Sequence, residues 1–405
     1  MRKGGSQARL AGRAIATRML VIALLCLAVA AAGCGAALQN KAKTTLSTDR
    51  GSSVLRPGVS VPPELAGLVV PPNSGAYIGV YQPPAPFALS ALDTYSGISN
   101  KPPAILMWYQ PWSKTGPADF DPAAVVALYE RDIVPMVTWE PWDANVGASA
   151  PADPANQPTY RLANIINGNF DPYIHKFAKS VKAVRGPVMI RLMHEMNGNW
   201  YPWSGTANGN TPAEFVVAWR HVHDIFVAEG ATNVTWVWSI NHESVPVGAG
   251  NAFADYYPGD QYVDWVSISG FNWGTSTSTT SWHPLNFWYQ KPMAYLQSTG
   301  KPIIVSEFGS VENGGDKANW IRDAYGQFET TYPSVKGVVY YDKLEYSHGG
   351  MQDWRVTSTP ASLRAFQASV ASPYFLPAPA YTLAAWKSSL TTANWVYLRS
   401  LRPLY

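Results

Sequence analysis

Val188-Met-Ile-Arg-Leu-Met-His-Glu195 is a short, largely apolar run that closes on a carboxylate. A run of this length reads as a strand buried on both faces, the kind a parallel sheet needs. Working outward, seven similar runs lie at Ala76–Tyr81, Ala104–Tyr109, Ile133–Trp139, Val234–Ile240, Val263–Phe271, Pro302–Ser306 and Val335–Tyr341. Helical patterns fall between or after them at Asp121–Arg131, Asp171–Val184, Thr211–Glu229, Leu285–Gln297, Asp316–Thr330 and Thr359–Val370. Asp121-Pro122, Asp171-Pro172 and Thr211-Pro212 each set a capping residue before a proline suited to the first helical turn. Eight runs, each followed by a helix or a long loop, predict an α/β fold, a single (β/α)8 TIM barrel. The connections after the first and fifth runs are the least helical, and the strand count depends on them. The alternative, an open doubly wound sheet, lacks a Gly-rich phosphate loop after any early run.

The 405 residues are 47% hydrophobic and 14% charged, which describes a chain able to bury a large core. Seventeen Trp and 22 Tyr are more telling. Sugar rings present apolar C–H faces beside hydroxyls, and flat amphipathic side chains suit them. Any single Trp is more readily explained by core packing, and it is the excess as a whole that leans towards carbohydrate.

The N-terminus reads as a targeting segment, residues 1–33. Arg2, Lys3, Arg9, Arg13 and Arg18 precede an apolar run, Met19 to Ala32, that is shorter than the roughly 20 residues of a membrane span. Ala31-Ala-Gly-Cys34 resembles a bacterial lipoprotein signal, with Cys34 as lipid anchor, although Ala31 stands where Leu is usual; plain secretion is the other reading. Both make the protein exported. Cys26 and Cys34 are the only cysteines, so the mature domain has no disulfide. Loss of the five basic residues takes the formal charge from +3 to −2, which argues against a nucleic-acid partner. Residues 34–74, rich in Pro and Gly towards their end, read as a linker, 75–372 as the barrel, and 373–405 as an extension of no assigned role. The protein is expected to be a monomer, tied to a membrane only through its anchor.

Glu195 and Glu307 each end a predicted strand, the fourth and the seventh. Barrel strands aim groups at their C-terminal ends into one cleft. Two such carboxylates, one protonated and one ionised, are what cleavage of a glycosidic bond requires. Arg191 shares strand parity with Glu195 and is expected to point inward and lend positive potential near Glu307; the alternative is a structural ion pair, and a bulge would void the parity. Trp108, Tyr109, Trp112, Trp139, Trp142, Trp238, Trp273 and Tyr341 fall at predicted strand ends as candidate stacking surfaces.

Arg191-Leu-Met-His194-Glu195-Met-Asn197-Gly198-Asn-Trp200-Tyr201-Pro202-Trp203, with Ile304-Val-Ser-Glu307-Phe308-Gly309-Ser310, resembles glycoside hydrolase family 26, the family of many β-mannanases. The resemblance runs from about Ala76 to Ser372 and includes Asp353-Trp354-Arg355. It implies Glu195 as general acid/base, Glu307 as nucleophile, retention of configuration, and carboxyls about 5–5.5 Å apart. It also implies that His194 and Trp200 bind the sugar beside the scissile bond, with Trp273 and Tyr341 as further substrate-binding candidates. The family's sixth-strand tyrosine, which bonds the nucleophile, is Phe271 here; either another tyrosine substitutes, with Tyr340 and Tyr341 the candidates, or the nucleophile is oriented differently. The implied activity is endo-cleavage of a plant-type polysaccharide, β-1,4-mannan first, with mixed-linkage β-glucan or β-1,3-xylan as rivals. A non-catalytic carbohydrate-binding barrel is the rival of another class.

Neither a metal nor a cofactor is implied. His194-Glu195-Met-Asn-Gly198 begins like a zinc-protease motif but lacks its second histidine. His221 and His223, two apart on a helix, diverge.

Overall fold

A computed structural model describes residues 67–113, 119–146, 153–248, 250–347, 349–378 and 382–401. The proposed targeting segment, Cys34 and most of the linker lie outside the described residues.

The eight predicted runs form β1 (Ala76–Tyr81), β2 (Ile105–Pro111), β3 (Val134–Glu140), β4 (Val188–Leu192), β5 (Val234–Asn241), β6 (Trp265–Asn272), β7 (Ile303–Ser310) and β8 (Val335–Tyr341). Each pairs in parallel with the next, and β1 pairs with β8, so the sheet closes into the expected barrel. Around it lie α1 (Leu89–Ser99), α2 (Pro122–Tyr129), α3 (Leu162–Ile166), α4 (Asp171–Ala183), α5 (Pro212–Glu229), α6 (Leu285–Ser298), α7 (Lys317–Thr330) and α8 (Pro360–Val370). The first connection does hold a helix, α1. Among the described residues the fifth holds only the 3₁₀ turns Phe253–Tyr256 and Asp260–Tyr262.

The caps divide. Asp121 accepts from the amides of Ala123 and Ala124, and Thr211 forms a reciprocal box with Glu214. Asp171 does not cap: it is the first helical residue, and its carboxylate takes the ring Nε2 of His221 at 2.6 Å instead.

Alternation of side chains sends Trp108, Trp139 and Trp238 outward into the helix layer, where Trp139 stacks on Phe177 of α4 at 4.2 Å. The inward positions are unusually polar near the site. Ser239, Ser267 and Ser306 hydroxyls bond one another at 2.7–3.3 Å, above the aliphatic floor of the barrel.

After β8 come a hairpin, β9 (Leu344–Ser347) with β10 (Gly350–Asp353), then α8 and the short strand β11 (Phe375–Leu376), which pairs with β1 outside the closed ring. Helices α9 (Thr382–Ser389) and α10 (Thr392–Ser400) complete the tail. Trp386 packs on Tyr129 of α2 at 4.7 Å, and the Arg185 guanidinium lies 4.8 Å from the Tyr397 ring. The tail thus lies against the helical side, away from the strand ends that carry the carboxylates.

Candidate active site

Two local irregularities aim the glutamates. Strand β4 stops at Leu192, short of the run read from sequence, because Met193 and Glu195 take left-handed backbone angles, φ 45° and 53°. The chain turns sharply at the barrel mouth, and the Glu195 amide is tied to the Ser239 carbonyl at 2.9 Å. Such angles are costly for residues with a Cβ and recur where function fixes the backbone. On β7 the pairing with β6 slips, from Ile268 opposite Val305 to Ser269 opposite Glu307, leaving Ser306 as an extra residue. That bulge lets neighbours Ser306 and Glu307 both reach the interior, which strict alternation forbids.

The carboxylates meet different partners. Glu307, 5% exposed, accepts from Arg191 Nη1 and from the Tyr109 hydroxyl at 2.6 Å. Arg191 is wholly buried and gives Nε to Ser239 Oγ at 2.9 Å. The enclosed guanidinium and Glu307 thus form a buried ion pair. Glu195, 9% exposed, accepts only from neutral donors: the Ser269 hydroxyl and Trp200 Nε1 at 3.0 Å. Burial, reinforced by the charge of Glu307, pushes Glu195 up to about 7. One carboxyl has its proton affinity raised towards neutrality while the other is paired with a cation.

A third carboxyl, Glu140, stands at the end of β3 on the same cleft and is 3% exposed. Burial pushes it up to about 8, against a bond from Trp142 Nε1 at 3.3 Å. Its sequence signal, a glutamate ending the run Ile133 to Trp139, matched that of Glu307.

Both glutamates, Trp200, Trp273 and Tyr341 line one cleft of about 1360 Å³, together with Tyr109, Trp142, Tyr201 and Phe271. The volume exceeds that of a typical small-molecule pocket and suits a chain of sugar rings. Trp112 is packed in the wall against Trp139 and Tyr173. His194 stands behind the cleft wall: its Nε2 meets the Tyr201 hydroxyl at 3.0 Å, and burial holds its ring neutral. The expected substitute for the missing sixth-strand hydroxyl needs correcting. Tyr340 faces the helix layer against Phe308 and Phe366, and the Tyr341 hydroxyl bonds Glu345 at 3.1 Å; Tyr109, on the second strand, reaches Glu307. Parity explains the first miss, since Tyr340 and Tyr341 face opposite sides. His221 pairs with Asp171, and His223 lies 3.1 Å from Asp224.

A model of the family described as glycosyl hydrolase family 26 matches residues 134–286. The chain is 36% identical over 304 residues to Endoglucanase H of Acetivibrio thermocellus, covering 74% of this chain and 31% of that protein. It is 26% identical over 177 residues to the β-1,3-xylanase TXYA of a Vibrio species, covering 41% of this chain and 35% of that one. This chain therefore spans about a third of the length of these relatives. In fold it is similar to the catalytic domain of a GH26 endo-β-1,4-mannanase from Bacillus sp. JAMB-750, with a TM-score of 0.58 and 16% identity over 77% of this chain and 90% of that one. The model of glycosyl hydrolase family 26 thus matches strands β3 to β6, including the turn that carries Glu195, and the likeness to the 36% relative runs over most of the barrel.

Proposed function

We propose that this barrel is a retaining endo-β-glycosidase in which Glu195 is the general acid/base and Glu307 the nucleophile. The opposed environments of the two glutamates in one cleft carry the reading. Glu195 gives its proton to the glycosidic oxygen as Glu307 attacks the anomeric carbon, so the leaving sugar departs neutral and a glycosyl ester forms. Glu195, now ionised, takes a proton from water; the water oxygen attacks the same carbon and Glu307 leaves as carboxylate. Arg191 and Tyr109 orient Glu307 and stabilise its charge before and after each step. Trp200 and Ser269 position the acid.

A β-glucan is the first substrate to test, because the relative with the greater identity and coverage is an endoglucanase by name. β-1,4-Mannan, ranked first on the motifs alone, is the second reading, supported by the family's many mannanases. The cleft aromatics Trp142, Trp200 and Trp273 supply stacking faces for either.

Hydrolysis of an aryl β-glycoside tests the roles. Glu195→Ala should form the glycosyl-enzyme from a dinitrophenyl substrate and stall, with azide restoring turnover as a β-glycosyl azide. Glu307→Ala should be inactive yet bind oligosaccharide. An azide product of inverted configuration, or no azide effect, would refute the assignment. Export with Cys34 as lipid anchor, and a monomeric state, belong to the same proposal. Cys34→Ala should release the protein from membranes, and sedimentation should give the mass of one chain.

A further inference from the structure

Glu140 is not needed by the mechanism above, and the fold gives little reason to bury it. Arg191 is committed to Glu307, and no lysine or arginine pairs with Glu140 among the described residues. Its nearest basic group is His194 Nδ1, 3.9 Å from Oε1, too far for a hydrogen bond. Burial holds that histidine neutral. Trp142 Nε1 satisfies Oε2 alone. A carboxyl has room for about four hydrogen bonds, so most of this one's capacity is unused by the protein. A buried carboxyl without a cation is costlier than an apolar residue of similar size. Yet the side chain lines the cleft, with Trp142 and Tyr201 beside it. Strand register puts Glu140 across from Pro111 on β2, two residues past Tyr109, which holds Glu307.

We infer that Glu140 is a specificity-determining residue whose Oε1 binds a hydroxyl of the glycone sugar lying over Glu307. The inference rests on the glycosidase reading and adds a third carboxyl that touches substrate without taking part in bond exchange. Its raised proton affinity fits the role. Near neutrality the group is largely protonated, so it both donates and accepts toward a sugar hydroxyl and adds no repulsion to Glu307.

The experiment pairs enzyme and substrate deletions. Dinitrophenyl β-cellobiosides, singly deoxygenated at each glycone hydroxyl, are assayed with wild type, Glu140→Gln and Glu140→Ala. One deoxy position should cost wild type roughly tenfold or more in kcat/KM, as loss of a hydrogen bond to such a group does. The same position should cost Glu140→Ala under about threefold, with Glu140→Gln between. A merely structural role would slow every substrate alike and leave the deoxy penalties unchanged, and that result overturns the inference. Should Glu140→Ala fail to fold, Glu140→Gln decides on the same criterion. If mannobiosides prove the better substrates, the series is built on them. Wild type that cleaves neither series removes the glycosidase reading and this inference with it; normal cleavage with unchanged penalties removes the inference alone.

Discussion

Replacing Glu307 by Gln removes one charge from the cleft with little change in shape, and Glu195 should report the loss. Burial is the first cause that raises Glu195 to about 7, and the Glu307 charge is the second. At a separation of about 5.5 Å, as in a retaining pair, and an effective dielectric of about 20, unit charges repel by about 3 kcal/mol, near two pKa units. Arg191, bonded to Glu307 and itself among the groups that lower Glu195, cancels part of that field, leaving an expected fall of about one unit. The consequence is functional. At pH 6 a carboxyl of pKa 7 is about 90% protonated and one of 4.5 about 3%, so the environment supplies some thirtyfold more of the proton-donating form. Carboxyl-labelled glutamate followed by carbon NMR across pH 3–9, with Glu195→Gln to assign the resonance, measures the change. In wild type the Glu195 carboxyl should titrate near 7, below Glu140 near 8. A Glu195 step that stays put or rises in Glu307→Gln would show that the two side chains do not share a cleft as described.

Tyr109→Phe removes the hydroxyl that Glu307 accepts at 2.6 Å, and should lower kcat by about 10- to 100-fold with little change in melting temperature. Phe271→Tyr in that background should not restore it, since the hydroxyl needed comes from the second strand. Trp386→Ala, deleting the tail's contact on Tyr129, should cost about 2–4 kcal/mol of stability by urea titration and leave kcat/KM unchanged. Stability should also fall as pH rises from about 6.5 to 8. Glu140 keeps its proton to about 8 when folded but loses it near 4.3 when unfolded, so the folded state binds more protons in that window and its advantage shrinks by about 1–2 kcal/mol. Below pH 6.5 the buried neutral His194 and His242 oppose this, so the upper window is the diagnostic one. Glu140→Gln should make the decline shallower, with Glu195 at about 7 still adding to it and Lys317, lowered by burial to about 8, opposing it near the top of the window; an equally steep decline in that variant would assign the effect elsewhere.

Fold was legible because parallel strands buried on both faces leave continuous apolar runs, and all eight appear in the sequence within a few residues of their true ends. What the runs conceal is where they stop. Val188 to Glu195 looks uninterrupted, yet the strand ends at Leu192, since nothing in composition marks a left-handed angle at Met193 or Glu195. Ile303 to Glu307 likewise hides the bulge at Ser306. Glu140, and the bond from Tyr109 to Glu307, were missed for a related reason. Each residue ends or nearly ends a run, but which groups meet at the barrel mouth depends on which strands face across it, and linear spacing does not carry that. His194, a motif neighbour of Glu195 expected to touch the sugar, lies buried with its Nε2 against the Tyr201 hydroxyl, a placement that linear spacing does not carry either.

These irregularities have a common cause. Regular alternation places every second side chain in the cleft, about 6.5–7 Å apart along a strand, and parallel neighbours step in register. A reaction needing a proton donor, a nucleophile and an arginine within hydrogen-bond reach cannot be laid out on that grid alone. The left-handed turn swings Glu195 from the end of β4 to the hydroxyl of Ser269 on β6, two strands away. The bulge lets Ser306 anchor the interior network while Glu307 meets Arg191. Because the strained turn is pinned by the Ser239 carbonyl, and Ser239 also holds Arg191, one residue of β5 ties the surroundings of Glu195 and Glu307 together. A substitution at Ser239 therefore removes the hydroxyl under Arg191, and so acts on Glu307 through the arginine, while the backbone tie to Glu195 stays; substitutions at Ser269 or Tyr109 each reach one glutamate directly.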